Sequence, residues 1–321
     1  GSGLADMLRK RGWRLQFLVP RRILPAVEAL SWGSPGPSTD HQAMEPYVGS
    51  RIWRWLRRGP LRTASYVKRA QTSWTYRHKL RRRWETGGPR SVWAALETWA
   101  LRGVGAVWDA ERLAARVEAW LPPSRAAKRL LDDLRPNVVV ASTTIHEGLE
   151  AELFKSARRA GVPTVAEVAT FDALISKGAF LVRPDRLLVW GEQSAGHAMA
   201  AHGFASDQVA VTGPPHYDLR PDAVPSHPPV IVVAGTTVAY WRDEAEAVQT
   251  LARMVREEGL KARVWYRPHP RRPAGQVADF TGLPVTVDPA WLEQAGKGGG
   301  YAIGDEPLRH SWRVLSQAAV L

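Results

Sequence analysis

The sequence predicts an α/β protein built from two doubly wound parallel-sheet domains. Three observations predict it. Short apolar, β-branched runs such as NVVVAS and VIVVAG alternate with helical stretches at the spacing of βαβ units. A proline-rich stretch, PPHYDLRPDAVPSHPP at 214–229, carries six prolines and divides that alternation in two. The chain has 321 residues, 45% of them apolar, which is enough to fill the cores of two such domains.

The elements follow in order. LADMLRKRG (4–12) reads as a short helix closed by Gly12, and RLQFLVP as a strand stopped by Pro20. Residues 33–46 are rich in Gly, Pro, Ser and polar side chains and read as a loop. From Ser50 to about Trp120 the pattern is helical and rich in Arg, Trp and Ala, with breaks near Gly59-Pro60 and Gly87-Gly88-Pro89. SRAAKRLLDDLR (124–135) reads as a helix N-capped by Ser124 and ended by Pro136. NVVVAS is wholly apolar at its centre, the pattern of a strand buried on both faces. A helix over 148–160 closes at Gly161, and PTVAEVAT, DRLLVWG, a helix at 193–203 and QVAVTG complete the first domain. Beyond the linker come the strand VIVVAG, the helix DEAEAVQTLARMVREEG, the strand ARVWYRPHP, the shorter strand LPVTVD, the loop QAGKGGG, and a helix or helix-strand in RHSWRVLSQAAVL. The domains read as 1–215 and 230–321, joined by 216–229, with the helical basic segment at about 50–120 inside the first.

Composition excludes several classes. There is no Cys, hence no disulfide framework and no thiolate nucleophile or metal ligand. No apolar run approaches the roughly 18 residues that span a bilayer, and no signal peptide is visible. No P-loop, GxGxxG, HExxH or nucleophile elbow occurs.

Four stretches at predicted strand ends carry chemistry. STTIHEG (142–148) offers the hydroxyls of Ser142, Thr143 and Thr144 on the acceptor side, with His146 and Glu147 as candidate general bases. A capping box of Thr144 and Glu147 competes with that reading. ATFDALISKG (169–178) offers Asp172 as a catalytic carboxylate and Lys177 beside it, against the alternative that Asp172 caps a short helix. VVAGTTVAYW (232–241) places Gly235, Thr236 and Thr237 between a strand and a helix, where backbone N–H groups favour a phosphate. VWYRPHP (264–270) ends a strand on His269, fixed between Pro268 and Pro270 and flanked by Arg267, Arg271 and Arg272. An imidazole and guanidinium groups at a strand's carboxyl end suit an anionic ligand. His216 and His310 read as structural or exposed.

The runs LRPNVVVAS, SARRAGVPTVAEVATFDALISKG, RPDRLLVWGEQSAGHAMAAHGFASDQVAVTGPPHYD and VWYRPHP, in that order, resemble bacterial two-domain GT-B glycosyltransferases of the surface-polysaccharide type. They are also similar to CDP-glycerol glycerophosphotransferases and, more distantly, to non-hydrolysing UDP-N-acetylglucosamine 2-epimerases. The resemblance covers about residues 130–270. It implies a GT-B-like architecture, two Rossmann-like domains facing a cleft, with a nucleotide-activated donor on the second domain and an acceptor on the first. It implies that Arg267 and His269 face the donor diphosphate, that Gly235 and Thr236 approach it, and that Glu192 and Gly213 border the cleft; Thr237, Arg271 and Gly213 are then expected on the donor side, and Lys177 and Glu192 on the acceptor side. No DxD-like acidic metal site stands out, so a metal-independent enzyme without a cofactor is expected, with the nucleotide donor as substrate. Relatives place Trp before the residue that aligns with Asp172, where this chain has Phe171. They also continue past a segment like SQAAVL with a Ser/Thr-rich loop and a Glu-bearing helix, so an incomplete second domain is expected. Residues 1–3 read as an expression scar or the Gly-rich end of a lost strand-loop. Glycerophosphate transfer and a catalytically degenerate scaffold are the alternatives to glycosyl transfer.

The formal charge is +13, and residues 51–100 hold 13 Lys and Arg against two acids, so that segment carries nearly all of the excess. Trp53, Trp55, Trp74, Trp84, Trp93 and Trp99 are interleaved with it. A face for an anionic membrane surface and a lipid-linked acceptor is one reading. Nucleic-acid binding is a weaker one, and a helical subdomain with Trp in its core and Arg in solvent is the third. The membrane reading implies a cytoplasmic protein peripheral to the inner face of the cytoplasmic membrane.

Overall fold

The computed structural model describes residues 7–20, 39–44, 60–70, 73–85, 95–96, 98–100, 103, 109–143, 148–214, 217, 226–236, 243–270, 272–273, 275, 277, 279–296 and 305–320. It is an α/β protein whose described sheets are all parallel, one of two strands and two of four. Chain contacts divide it into Glu45–Pro214 and a second unit made of Gly1–Met44 with Pro215–Leu321. The break at Pro214 falls at the start of the proline-rich stretch.

A helical turn at 7–10 is followed by Gly12 at φ +81°, and β1 (Leu15–Pro20) ends at its proline. β1 pairs in parallel with β2 (Thr39–Met44), from Leu15 opposite Thr39 to Pro20 opposite Met44. This corrects the loop expected over 33–46. TDHQAM has no strand alternation, and its strand exists because a partner supplies the backbone ladder.

In the Glu45–Pro214 unit, α1 (Arg62–Arg69), α2 (Trp74–Glu85) and α3 (Ala110–Trp120) come from the basic segment. α1 packs on both α2 and α3. Tyr66, Val67, Ala70, Tyr76 and Leu80 form one buried cluster, and Leu61, Ala64 and Ala114 another. The aromatic core here is therefore tyrosine, while Trp74 and Trp99 are 69% and 77% exposed. These two tryptophans are thus not core residues; Arg62, Arg77, Arg81 and Arg82 are exposed, as the solvated reading expects, whereas Arg69 is buried. Its guanidinium takes Glu111 in a two-point contact (2.9 and 3.2 Å) and donates to Ala201 O at 2.8 Å.

α4 (Arg125–Leu134) begins at Ser124, whose Oγ accepts Ala127 N at 3.0 Å, as the cap expectation requires. β3 (Val139–Thr143), α5 (Gly148–Arg159), β4 (Thr164–Val168), α6 (Ala173–Ser176), β5 (Arg186–Val189), α7 (Glu192–His202) and β6 (Val209–Val211) follow. Gly161 and Gly203, at φ +71° and +64°, stand past the ends of α5 and α7. The sheet order is β3-β4-β5-β6. β3 is thus an edge strand, and Val140 is 54% exposed, so the expectation of burial on both faces does not hold. Lys155 of α5, itself buried, lies 2.9 Å from Glu118 of α3.

In the other unit, β7 (Val230–Ala234), α8 (Glu244–Glu257), β8 (Arg263–Arg267), β9 (Val285–Val287), α9 (Pro289–Gly296), α10 (Asp305–Ser316) and β10 (Ala318–Val320) build a sheet of order β10-β7-β8-β9. One face is filled by Val248, Ala252 and Val255 of α8 against Val264, Tyr266 and Phe280. On the other, Val314 of α10 packs on Val230 and Val232. Helices on both faces and a return strand beside the first make this a doubly wound, Rossmann-like sheet. No helix among the described residues is long and apolar enough to cross a membrane.

His202 is a buried, neutral imidazole. Its Nε2 donates to Leu174 O at 2.7 Å, so its Nδ1 is free to accept from Arg69 at 3.3 Å. Burial first, then the charges of Arg69, Arg183 and His197, push its pKa down to about 3. The unfolded chain binds the proton near 6.5 and the folded chain does not. Stability of this unit is therefore full above about pH 6.5 and is lost as pH falls, by up to about 1.4 kcal/mol per pH unit. Urea midpoints measured from pH 7 to 5 should show this slope, and His202→Gln should reduce it; equal slopes would contradict the assignment.

Candidate functional site

Open α/β sheets hold ligands past the carboxyl ends of their strands, where the strand order reverses. In the C-terminal sheet the chain runs outward from β7 to β8 to β9 and then returns to the other side of β7, so the reversal lies at β7. Gly235 and Thr236 leave β7 there, and Pro268 and His269 leave the adjacent β8.

The backbone at this point is closely packed. Gly235 N donates to Arg267 O at 2.8 Å. A Cβ on Gly235 would lie 2.5 Å from Glu244 Oε1, 3.0 Å from Pro268 Cα and 3.1 Å from Arg267 O. Glycine is required because no other residue lets the carboxylate approach the turn. Glu244, fully buried in the first turn of α8, accepts Thr236 N at 2.6 Å and Tyr266 Oη at 2.5 Å, and lies 3.3 Å from Arg272 Nε. Arg272 is 3% exposed and reaches Thr236 O at 3.3 Å. Burial, with the hydrogen bond and charge of Glu244 adding to it, raises the Tyr266 phenol, so it stays a donor.

A second buried carboxylate lies at the end of β9. Asp288 accepts Ala290 N at 3.0 Å and His310 Nε2 at 2.9 Å, and stands 3.4 Å from Arg267 Nε. Arg267 is thus held rather than loose, and its Nη1 is buried without a hydrogen-bond partner. His310, read from sequence as structural or exposed, is half-buried and tied to this carboxylate. His269 O accepts Arg272 N at 2.8 Å and Trp291 Nε1 at 3.1 Å, which fixes the backbone that carries the half-buried imidazole.

The two N–H groups assigned to a phosphate, those of Gly235 and Thr236, are therefore used within the fold. Thr237 and Arg271 lie outside the described residues. Sequence reasoning missed Glu244, Asp288 and Tyr266. Their only local signal is position, an acid one residue into a helix after a βα turn and another directly after a strand.

The remaining candidates belong to the Glu45–Pro214 unit. Ser142, exposed on β3, pairs in register with Glu167, and Thr143 with Val168. Thr144, His146 and Glu147 lie outside the described residues. Asp172 stands at the start of α6 but makes no backbone cap. It accepts Thr170 Oγ1 at 2.7 Å and Ser176 Oγ at 2.5 Å. Burial raises its pKa, but the two hydroxyls and Lys177 outweigh burial and hold it below the ordinary carboxylate value. Phe171, 68% exposed, lies over Trp190 with ring centroids 6.3 Å apart. Lys177 closes α6 and is half-buried. Glu192 is exposed in the first turn of α7, and Gly213 follows β6 at φ +76°. Asp172 and Lys177 are neighbours in one cluster, whereas Ser142, Glu192 and Gly213 share no described contact with it.

No protein-family model matches the chain, and no curated protein matches it.

Gly235→Ala should lower stability by about 1–3 kcal/mol through overpacking. Glu244→Ala should cost about 3–5 kcal/mol, because it leaves Arg272 buried without its carboxylate. Chemical denaturation of the two variants measures both; a wild-type midpoint for either would remove it from the network.

Proposed function

We propose that the chain is a transferase of GT-B type that moves a sugar from a nucleotide-diphosphate donor to a surface-polysaccharide or lipid-linked acceptor. The observation that carries this reading is the strand reversal at β7, with a glycine-led turn beside the cationic end of β8. Arg267, with Arg271, supplies charge and His269 an N–H donor for a diphosphate, and Glu244 and Asp288 hold the turn and Arg267 in position. A base on the acceptor side, His146 or Glu147, removes the acceptor hydroxyl proton, while the cations offset charge on the departing diphosphate. Asp172, with its lowered pKa and two hydroxyl donors, serves better as a fixed negative charge than as that base. CDP-glycerol-type transfer needs the same cradle for the donor diphosphate.

The membrane part of the reading draws on α2. Trp74, Arg77, His78, Arg81 and Arg82 are exposed at helical spacing, and the Trp74 and His78 rings stack 5.2 Å apart. A basic stripe with an indole at its end suits an anionic headgroup layer. A second reading, a binding member of the fold without turnover, is favoured by the buried carboxylates that already engage Arg267 and Arg272.

Thermal unfolding with UDP, UDP-sugars and CDP-glycerol tests the donor. A ligand at a hundredfold excess over its Kd adds about 2.7 kcal/mol, a rise of several degrees in Tm for a unit of this size. The rise should fall away in His269→Ala. No rise with any nucleotide, or an equal rise in the variant, would overturn the donor assignment. Binding without turnover would select the second reading.

A further inference from the structure

Lys79 of α2 and Arg62 of α1 flank the Tyr66 ring, and Lys79 reaches the segment that carries Asp172 and Lys177, past the end of β4. Lys79 of α2 donates to Ser176 O, at the end of α6. Its Nζ lies 5.9 Å from the Tyr66 ring centroid and 5.6 Å from that of Tyr76. Arg62 of α1 reaches Tyr66 Oη at 2.9 Å, with its guanidinium carbon 5.4 Å from the same ring. Tyr76 Oη accepts Gly178 N at 2.9 Å, which ties α2 to the loop carrying Lys177. We propose that this cluster, with Lys79, Lys177 and Arg62 as its cations, is a binding site for a phosphate group.

The charge balance carries the inference. Among the described residues the charged groups acting on Lys79 are Lys177, Arg62 and Asp172. Both Asp172 oxygens are taken by hydroxyls, those of Thr170 and Ser176. Among the described residues one carboxylate thus stands against three cations, with Lys79, Lys177 and Asp172 half-buried and Arg62 exposed. Surplus like charge away from bulk water is unfavourable, and an ammonium responds by releasing its proton. Burial, then Lys177, bring the Lys79 pKa down to about 8, with Arg62 contributing and Asp172 opposing. A phosphate dianion would offset the surplus and restore the proton. The cluster also lies past the carboxyl end of a parallel strand, where Lys79 and Lys177 are half-buried and Arg62 is exposed to solvent. Nothing in it depends on the donor reading of the other unit.

The proposal has a signature that a merely solvated basic face lacks. At pH 8 Lys79 is about half protonated, so filling the site takes up as much as about half a proton. Calorimetric titration of the whole chain with inorganic pyrophosphate, in buffers of different ionisation enthalpy, reads that uptake as the difference between the wild-type chain and Lys79→Arg, because the proton that pyrophosphate itself carries is common to both. The affinity of the wild-type chain relative to Lys79→Arg should rise as pH falls from 9 to 7. Lys79→Met should weaken pyrophosphate binding at least tenfold. Lys79→Arg keeps the charge and the fold, so it should still bind while losing the uptake at pH 8. Lys128→Ala, which removes an exposed cation elsewhere in the same unit, should leave the uptake unchanged. No saturable pyrophosphate binding, or an undiminished uptake in Lys79→Arg, would overturn the site. Phosphatidylcholine vesicles with and without phosphatidic acid separate the sources. Pyrophosphate binding without vesicle binding assigns a soluble phosphate, and vesicle binding displaced by pyrophosphate assigns a lipid headgroup. Vesicle binding that pyrophosphate does not displace would overturn the site in favour of a diffuse basic surface.

Discussion

Two carboxylates without solvent contact hold the carboxyl end of the C-terminal sheet together. Glu244 joins the turn after β7, the phenol of β8 and the guanidinium of Arg272. Asp288 joins the end of β9 to Arg267 and, through His310, to α10. Each carboxylate would be very costly to bury alone, so each is stable only while its partners stay in place. The strand ends, which a ligand would meet first, are therefore held by electrostatics rather than by apolar packing. The apolar packing lies beneath, where Val248, Ala252 and Val255 cover Val264 and Tyr266. Tyr266 belongs to both layers, with its ring in the core and its hydroxyl on Glu244.

The other unit treats its ionisable groups differently. Arg69 is matched by Glu111 in a two-point contact, and Lys155 by Glu118, so these charges are satisfied inside the fold. Lys79 has a carbonyl, two ring faces and cationic neighbours instead. Matched pairs stabilise a structure and need nothing further, whereas an unmatched excess on a half-buried surface is a standing attraction for an anion. The same physics gives the structural role to the first set and the binding role to the second.

Much of the fold was legible because its signals are local. Ser124 before an amphipathic run, Gly161 and Gly203 after two others, and the β-branched runs of β4, β7 and β8 each act through residues close in sequence. The strand β2 was not legible, since TDHQAM has no pattern of its own and depends on pairing with β1. Val140 was misread because an apolar run does not reveal whether a strand lies at a sheet's edge or its centre. Of the candidate site, the position of Gly235, Arg267 and His269 at adjacent strand ends could be read from strand–turn–helix order. The burial of Glu244, the ties of His310 and the setting of Lys79 could not. Each depends on residues distant in sequence, as in the contact of His310 with Asp288, 22 positions away, and of Lys79 with Ser176, 97 positions away.

The basic helices α1 and α2 look like a removable insertion when the chain is read linearly. Yet Arg69 supplies the donor to Ala201 O and His202, Tyr76 the acceptor for Gly178, and Lys79 the donor to Ser176 O. Excising the hairpin to obtain a minimal domain would strand four polar groups of the α/β body at once. It is a wall of the domain, and any shortened version must keep it or rebuild the surface it covers.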